Sequence, residues 1–199
     1  LRIALLGPSH VMGNGVADSE TFEGLVEERL NREFKANGYD RFEVLNFGVA
    51  GYCLPQQVAM LEDRVFEFAP DIVIATHYQR NRVMTERYLL KLAWSDIEVP
   101  HDELKRLLVS AGLLPMQFGT LPVPFTTGRS LARMLGLQPR MPESEAETRV
   151  RWIADDVLDW SFRRFAAATR EHGAAPLVLA LNVVIDDVPP QVPLRDRVE

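Results

Sequence analysis

Apolar residues fall along this chain in two rhythms. Arg2 to Leu6, Phe42 to Phe47, Ile72 to Ala75 and Leu177 to Ile185 are short runs with little polar alternation. Such runs predict strands buried on both faces, because a strand with one wet face alternates. Between them, apolar positions recur three and four apart. Phe22, Leu25, Val26, Leu30 and Phe34 predict a helix with one apolar face, closed by Asn37 and Gly38. Pro55 opens a second helix carrying Val58, Leu61, Val65 and Phe68 on one side. A long helix from about Glu145 to His172 has Trp152, Ile153, Val157, Trp160, Phe165 and Ala168 on a side expected to be core, and Gly173 ends it.

Strand, helix, strand, helix, strand is the order up to Ala75. It predicts a doubly wound, flavodoxin-like α/β fold, a mostly parallel sheet with helices on both faces. In such sheets reactive groups collect in loops beyond the carboxyl ends of the strands. Residues 83–145 break the rhythm: His101 to Leu108 is helical in pattern, and Leu114 to Gly128 is rich in Pro and Gly. This stretch reads as a cap-like insertion over the sheet within a single domain spanning 1–199. The chain enters a strand directly from Leu1 and stops at Glu199 soon after the fourth run, so that domain reads as truncated at both ends.

Composition narrows the classes. A chain of 199 residues, 47% hydrophobic and 25% charged, fits a soluble globular domain. A net charge of -6, with 22 scattered Lys and Arg, argues against an electrostatic grip on nucleic acid or an anionic membrane. One cysteine, Cys53, excludes an internal disulfide, and with four separated histidines it makes no zinc spacing, so neither a metal nor an organic cofactor is expected. No apolar run is long enough to span a bilayer. A disulfide-free chain suits the cytoplasm without excluding export, and the sequence does not fix compartment or oligomeric state.

Three loops after the first three strands carry candidate chemistry. In Gly7 to Val16, Ser9 can expose its hydroxyl and its own N–H together. In Asn46 to Tyr52, a glycine lets a substrate oxygen approach a bare backbone N–H. In Thr76 to Asn81, an amide side chain supplies another donor. A hydroxyl with donors around it suits acyl transfer, whose tetrahedral oxyanion needs N–H groups already in place.

These residues resemble the SGNH/GDSL hydrolase superfamily. Gly7-Pro8-Ser9 stands where the family has Gly-Asp-Ser, Asn46 to Gly51 fits Asn-x-Gly-x-x-Gly, and Asn81 best matches the Asn after the third strand. The resemblance covers residues 2–82, with Ala175 to Ile185 as a later sheet strand. It implies Ser9 as nucleophile and the Ser9 N–H, the Gly51 N–H and the Asn81 amide as oxyanion hole, with Gly48 the second candidate glycine. It further implies hydrolysis or transfer on carboxylic esters, such as O-acetyl carbohydrates or short-chain lipid esters, without a cofactor. Pro8, Gln79 and Arg82 depart from the pattern, and the family's Asp-x-x-His, which carries the general base, occurs nowhere in the chain.

His10 and His77 are candidate pocket residues. His10 adjoins Ser9, but neighbouring side chains on extended backbone diverge, and His77 is equally a satisfied core histidine. His172 reads as a charge at a helix C-terminus, and Asp155, Asp156 and Asp159 as a solvated helix face. Asp186 and Asp187 read as turn formers, and Cys53 lacks an identifiable partner. Two further readings stand beside the esterase: a non-catalytic domain of the same fold that binds a glycan or protein, and a flavodoxin-like ligand module.

Overall fold

The computed structural model describes residues 1–34, 38–94, 99–113 and 143–181. Strand β1 (Arg2–Gly7) leads into a one-turn helix α1 (Ser9–Met12), then α2 (Phe22–Glu33) and β2 (Glu43–Gly48). Helix α3 (Leu54–Asp63), β3 (Ile72–Tyr78), α4 (Asn81–Trp94), α5 (Asp102–Ser110), α6 (Glu143–Glu171) and β4 (Ala175–Leu181) follow. The four strands are parallel, in the order β2-β1-β3-β4. The chain therefore steps from β1 to β2 on one side and returns across β1 to β3 on the other. Right-handed crossovers then set α2 and α3 on opposite faces of the sheet, which is double winding with its switch point at β1.

The residues fall into two compact units, Leu1–Met84 with Asp159 onward, and Thr85–Leu158. In the first, Ala4, Leu5, Leu6, Val73 and Ala75 of the central strands are buried with Val58 and Leu61 of α3 and Phe165 of α6. Phe165 is a fully buried aromatic, so Phe165→Ala is expected to destabilise the fold by about 3–5 kcal/mol, read as a lowered midpoint in chemical denaturation. In the second unit, Leu89, Leu92, Leu104, Leu108, Val150, Ala154 and Val157 form a separate buried cluster.

Several expectations change. Strand β3 runs on through His77 and Tyr78, because β4 pairs with both and extends the ladder beyond the apolar run. Helix α4 begins at Asn81, where the sequence pattern shows only the end of the rhythm; its polar and apolar positions are too mixed to make a clean stripe. Trp152 is 79% exposed and lies off the core side of α6. The buried positions Val150, Ala154, Val157, Ser161, Phe165 and Ala168 keep a three-and-four spacing that Trp152 does not share. β4 is an outer strand among the described residues, and Leu177 and Leu179 are exposed. The rest of the fourth run, 182–185, lies outside the described residues, as do Leu114 to Gly128 and Asp186 and Asp187.

The last change concerns α2, which buries none of its residues; Phe22, Leu25, Val26 and Phe34 are exposed. Its inward contacts are polar. Asn31 exchanges hydrogen bonds with the Phe42 backbone (2.8 and 2.9 Å), Glu27 accepts the Val44 N–H (2.7 Å), and Glu23 accepts from Asn46 (2.7 Å). Every fourth helix residue meets every second strand residue. Four helical residues rise about 6.0 Å and two strand residues about 6.6 Å, so the two repeats stay in step over three contacts. The stripe covers one edge of β2 and satisfies backbone groups that an edge strand leaves unpaired.

Candidate active site

β1 sits between β2 and β3, and Gly7 is in register with Gly48 while Leu6 pairs with Ala75. The loops that follow these strands therefore leave the sheet at the same end, on strands about 4.8 Å apart. Ser9 is the first residue of α1 and is half-buried. Pro8 has φ -83°, close to what its ring imposes, and its carbonyl accepts the N–H groups of Val11 (2.9 Å) and Met12 (3.1 Å). Proline here builds the turn that presents Ser9. Gly13, at φ 79°, closes the single helical turn with a left-handed residue.

Gly48 and Gly51 differ in what they do. A Cβ on Gly48 would stand 2.8 Å from the Met12 Cα and from the Val11 carbonyl carbon, so the absence of a side chain lets the second loop press against α1. Gly51 is exposed, has φ 79°, and faces open space. Open space beside a glycine backbone suits an approaching ligand atom, whereas Gly48 is already occupied by packing. The two loops are stitched together: Val49 N–H donates to the Gly7 carbonyl (2.9 Å) and Asn46 Nδ2 to the Val11 carbonyl (2.7 Å). Asn46 Oδ1 also accepts the Gly48 N–H (2.7 Å). The Asn-x-Gly pattern already pointed to this asparagine, without its role.

The third loop joins the first through rings. His10 packs edge-on against Tyr78, centroids 5.1 Å apart. His10 is exposed overall, yet partial burial of its ring lowers its pKa from the ordinary imidazole value, so it is neutral near pH 7. The same kind of desolvation pushes the Tyr78 phenol up. His77, half-buried, lies 5.3 Å from the Phe162 ring centroid, and its Nδ1 is 2.8 Å from Asn81 Nδ2. The amide nitrogen donates and Nδ1 accepts in this arrangement. The Nδ1 lone pair is therefore engaged.

Asn81 is fully buried, and its Oδ1 makes no hydrogen bond. One Nδ2 proton is committed to His77 and the second is left for another acceptor. Gln57 and Thr76 lie buried at this end of β3 as well, with Gln57 Nε2 reaching the Thr76 carbonyl (3.4 Å). Elsewhere, Cys53 is buried at the start of α3, where Gln56 Oε1 accepts from its backbone N–H (3.2 Å) and its thiol (3.3 Å). His172 stacks on Phe66 and sits 2.9 Å from the Ala168 carbonyl near the end of α6. Among the described residues, no three His, Cys, Asp or Glu side chains gather as a metal site, and no helix is long and apolar enough to cross a membrane.

No protein-family model matches the chain, and no curated protein matches it in sequence. Solved structures similar to it include TesA, at 15% identity over 88% of this chain and 77% of that one, with a TM-score of 0.34. The acetyl xylan esterase AlAXEase is 11% identical over 90% of this chain and 77% of its own, with a TM-score of 0.35. The lipase/acylhydrolase from Enterococcus faecalis is 15% identical over 88% and 74%, with a TM-score of 0.30. At such identities the chemistry has to be argued from this chain's own residues.

Proposed function

We propose that this chain belongs to a serine-type ester hydrolase or acyl transferase of the SGNH kind, with Ser9 attacking a carboxylic ester carbonyl. The supporting observation is the sheet order: the loops bearing Ser9, Gly51 and Asn81 follow three adjacent parallel strands and leave the sheet at one end. In this reading the N–H groups of Ser9 and Gly51 and the second Nδ2 proton of Asn81 meet the oxyanion. Asn81 receives it only after the turn between β3 and α4 opens, since none of its surface reaches solvent. In this reading a histidine takes the Ser9 proton, the role carried in the family by an Asp-x-x-His motif that does not occur in these 199 residues. Substrates of this class are esters of small molecules or carbohydrates, O-acetyl groups among them.

The closed position of Asn81 also favours a second reading, a domain of this fold that binds a glycan or protein and performs no chemistry. A fluorophosphonate that traps acyl-enzyme nucleophiles separates the two. Peptide mapping of the intact protein is expected to find the phosphonyl group on Ser9 and on no other serine. Absence of labelling under conditions where a known serine esterase reacts fully would support the binding domain.

A further inference from the structure

We propose that Glu23 and Asn46 are a positioning pair that fixes the turn carrying Ser9 from the side of α2. The proposal rests on the reading of Ser9 as nucleophile. Helix α1 is four residues long, far too short to hold its own direction in water. Its last-turn carbonyls have no partner within the helix, and one of them, that of Val11, is taken by Asn46 Nδ2 at 2.7 Å. The same nitrogen gives its other proton to Glu23 Oε1 at 2.7 Å, while Oδ1 takes the Gly48 N–H at 2.7 Å. One side chain, although Asn46 is exposed, thus ties α1, the second loop and α2 together, and both of its amide protons go to protein acceptors.

No other residue type does this at the length of an asparagine. Aspartate has the oxygen for Gly48 but no proton for Val11, and it would place a second carboxylate against Glu23. Glu23 sits in the first turn of α2, where negative charge is favourable. Its Oε2, however, is buried without a hydrogen bond, so the carboxylate faces Asn46 at the expense of solvation. A carboxylate accepting from an amide polarises it and strengthens its remaining N–H bond, here the one to Val11. The three polar contacts between α2 and β2 therefore end on the turn that presents Ser9, and the last of them sets its orientation.

The test compares Asn46→Asp, Glu23→Gln and the double variant with the unaltered intact protein. Two readouts are taken: steady-state hydrolysis of an aryl acetate, and amide hydrogen exchange at Gly13 and Asn14. Asn46→Asp is expected to lower kcat roughly tenfold or more with KM within about twofold, and to speed exchange at these amides roughly tenfold, the scale of one hydrogen bond. Exchange at Phe42 and Val44 stays unchanged. The double variant recovers part of the loss, because the amide introduced on α2 can donate to the carboxylate introduced on β2. Unchanged exchange at Gly13 and Asn14 in Asn46→Asp, or a rise in KM matching the fall in kcat, overturns the pair. If hydrolysis proves independent of Ser9, the nucleophile reading fails, and the exchange measurement still decides whether the pair fixes the turn.

Discussion

On the proposed mechanism, Ser9→Ala is expected to abolish hydrolysis of an aryl acetate by the intact protein, with the circular dichroism spectrum and melting temperature staying close to those of the unaltered chain. Ser9 is half-buried at the head of a one-turn helix, and its hydroxyl bonds to none of the described residues. Removing it leaves no buried donor or acceptor stranded, so the stability change is expected to fall within about 0.5 kcal/mol. The rate is another matter. If Ser9 is the nucleophile as proposed, no acyl-enzyme forms without its oxygen, and the remaining donors retain only a small part of the acceleration, so the expected loss is on the order of 10⁴-fold or more. The measurement needs both arms. An alanine variant that keeps its rate removes Ser9 from the mechanism, and one that loses rate together with fold says nothing of chemistry.

Gly48→Ala is expected to cost about 3 kcal/mol of stability and most of the activity, because the atoms its Cβ meets are backbone. The Met12 Cα and the Val11 carbonyl carbon each stand 2.8 Å from the added carbon, and no rotamer change moves them aside. Either β2 or α1 must shift, which places the cost at the upper end of overpacking. A shift also breaks the Asn46 bridge between the same segments. Gly15→Ala is the control: Gly15 has φ 96° but open space around it, so only backbone strain of about 1 kcal/mol applies. For a chain of this size, a difference of about 2 kcal/mol between the variants separates their melting temperatures by roughly 4–8 °C. Equal melting temperatures would show that α1 and the second loop are not pressed together as described.

The central strands were legible because a parallel strand covered on both faces must be apolar throughout, and Ala4, Leu5, Leu6, Val73 and Ala75 are all buried; β2 and β4 bury none of their residues, which an apolar run alone does not show. The fold class followed from their alternation with helices. The candidate chemistry was legible as three loops, since loop position follows from strand ends. In sequence Asn81 is an amide donor in the third loop; the structure has it open α4, fully buried with Nδ2 on His77, a pairing between residues four apart that composition cannot rank above solvation.

Sequence by itself determined the alternation of elements, the parallel sheet and the glycine-rich turns beyond its strands, because each rests on local period and local backbone freedom. Only the tertiary structure decided which face of a helix turns inward. In α2 the apolar residues Phe22, Leu25 and Val26 are exposed, and Glu23, Glu27 and Asn31 meet β2. Apolar burial usually sets a helix's orientation, but here the unpaired backbone groups of an edge strand and the matched rise of helix and strand set it instead. The same long-range match separates Gly48, closed by packing, from Gly51, open to an incoming atom, a distinction two glycines three residues apart cannot carry in sequence.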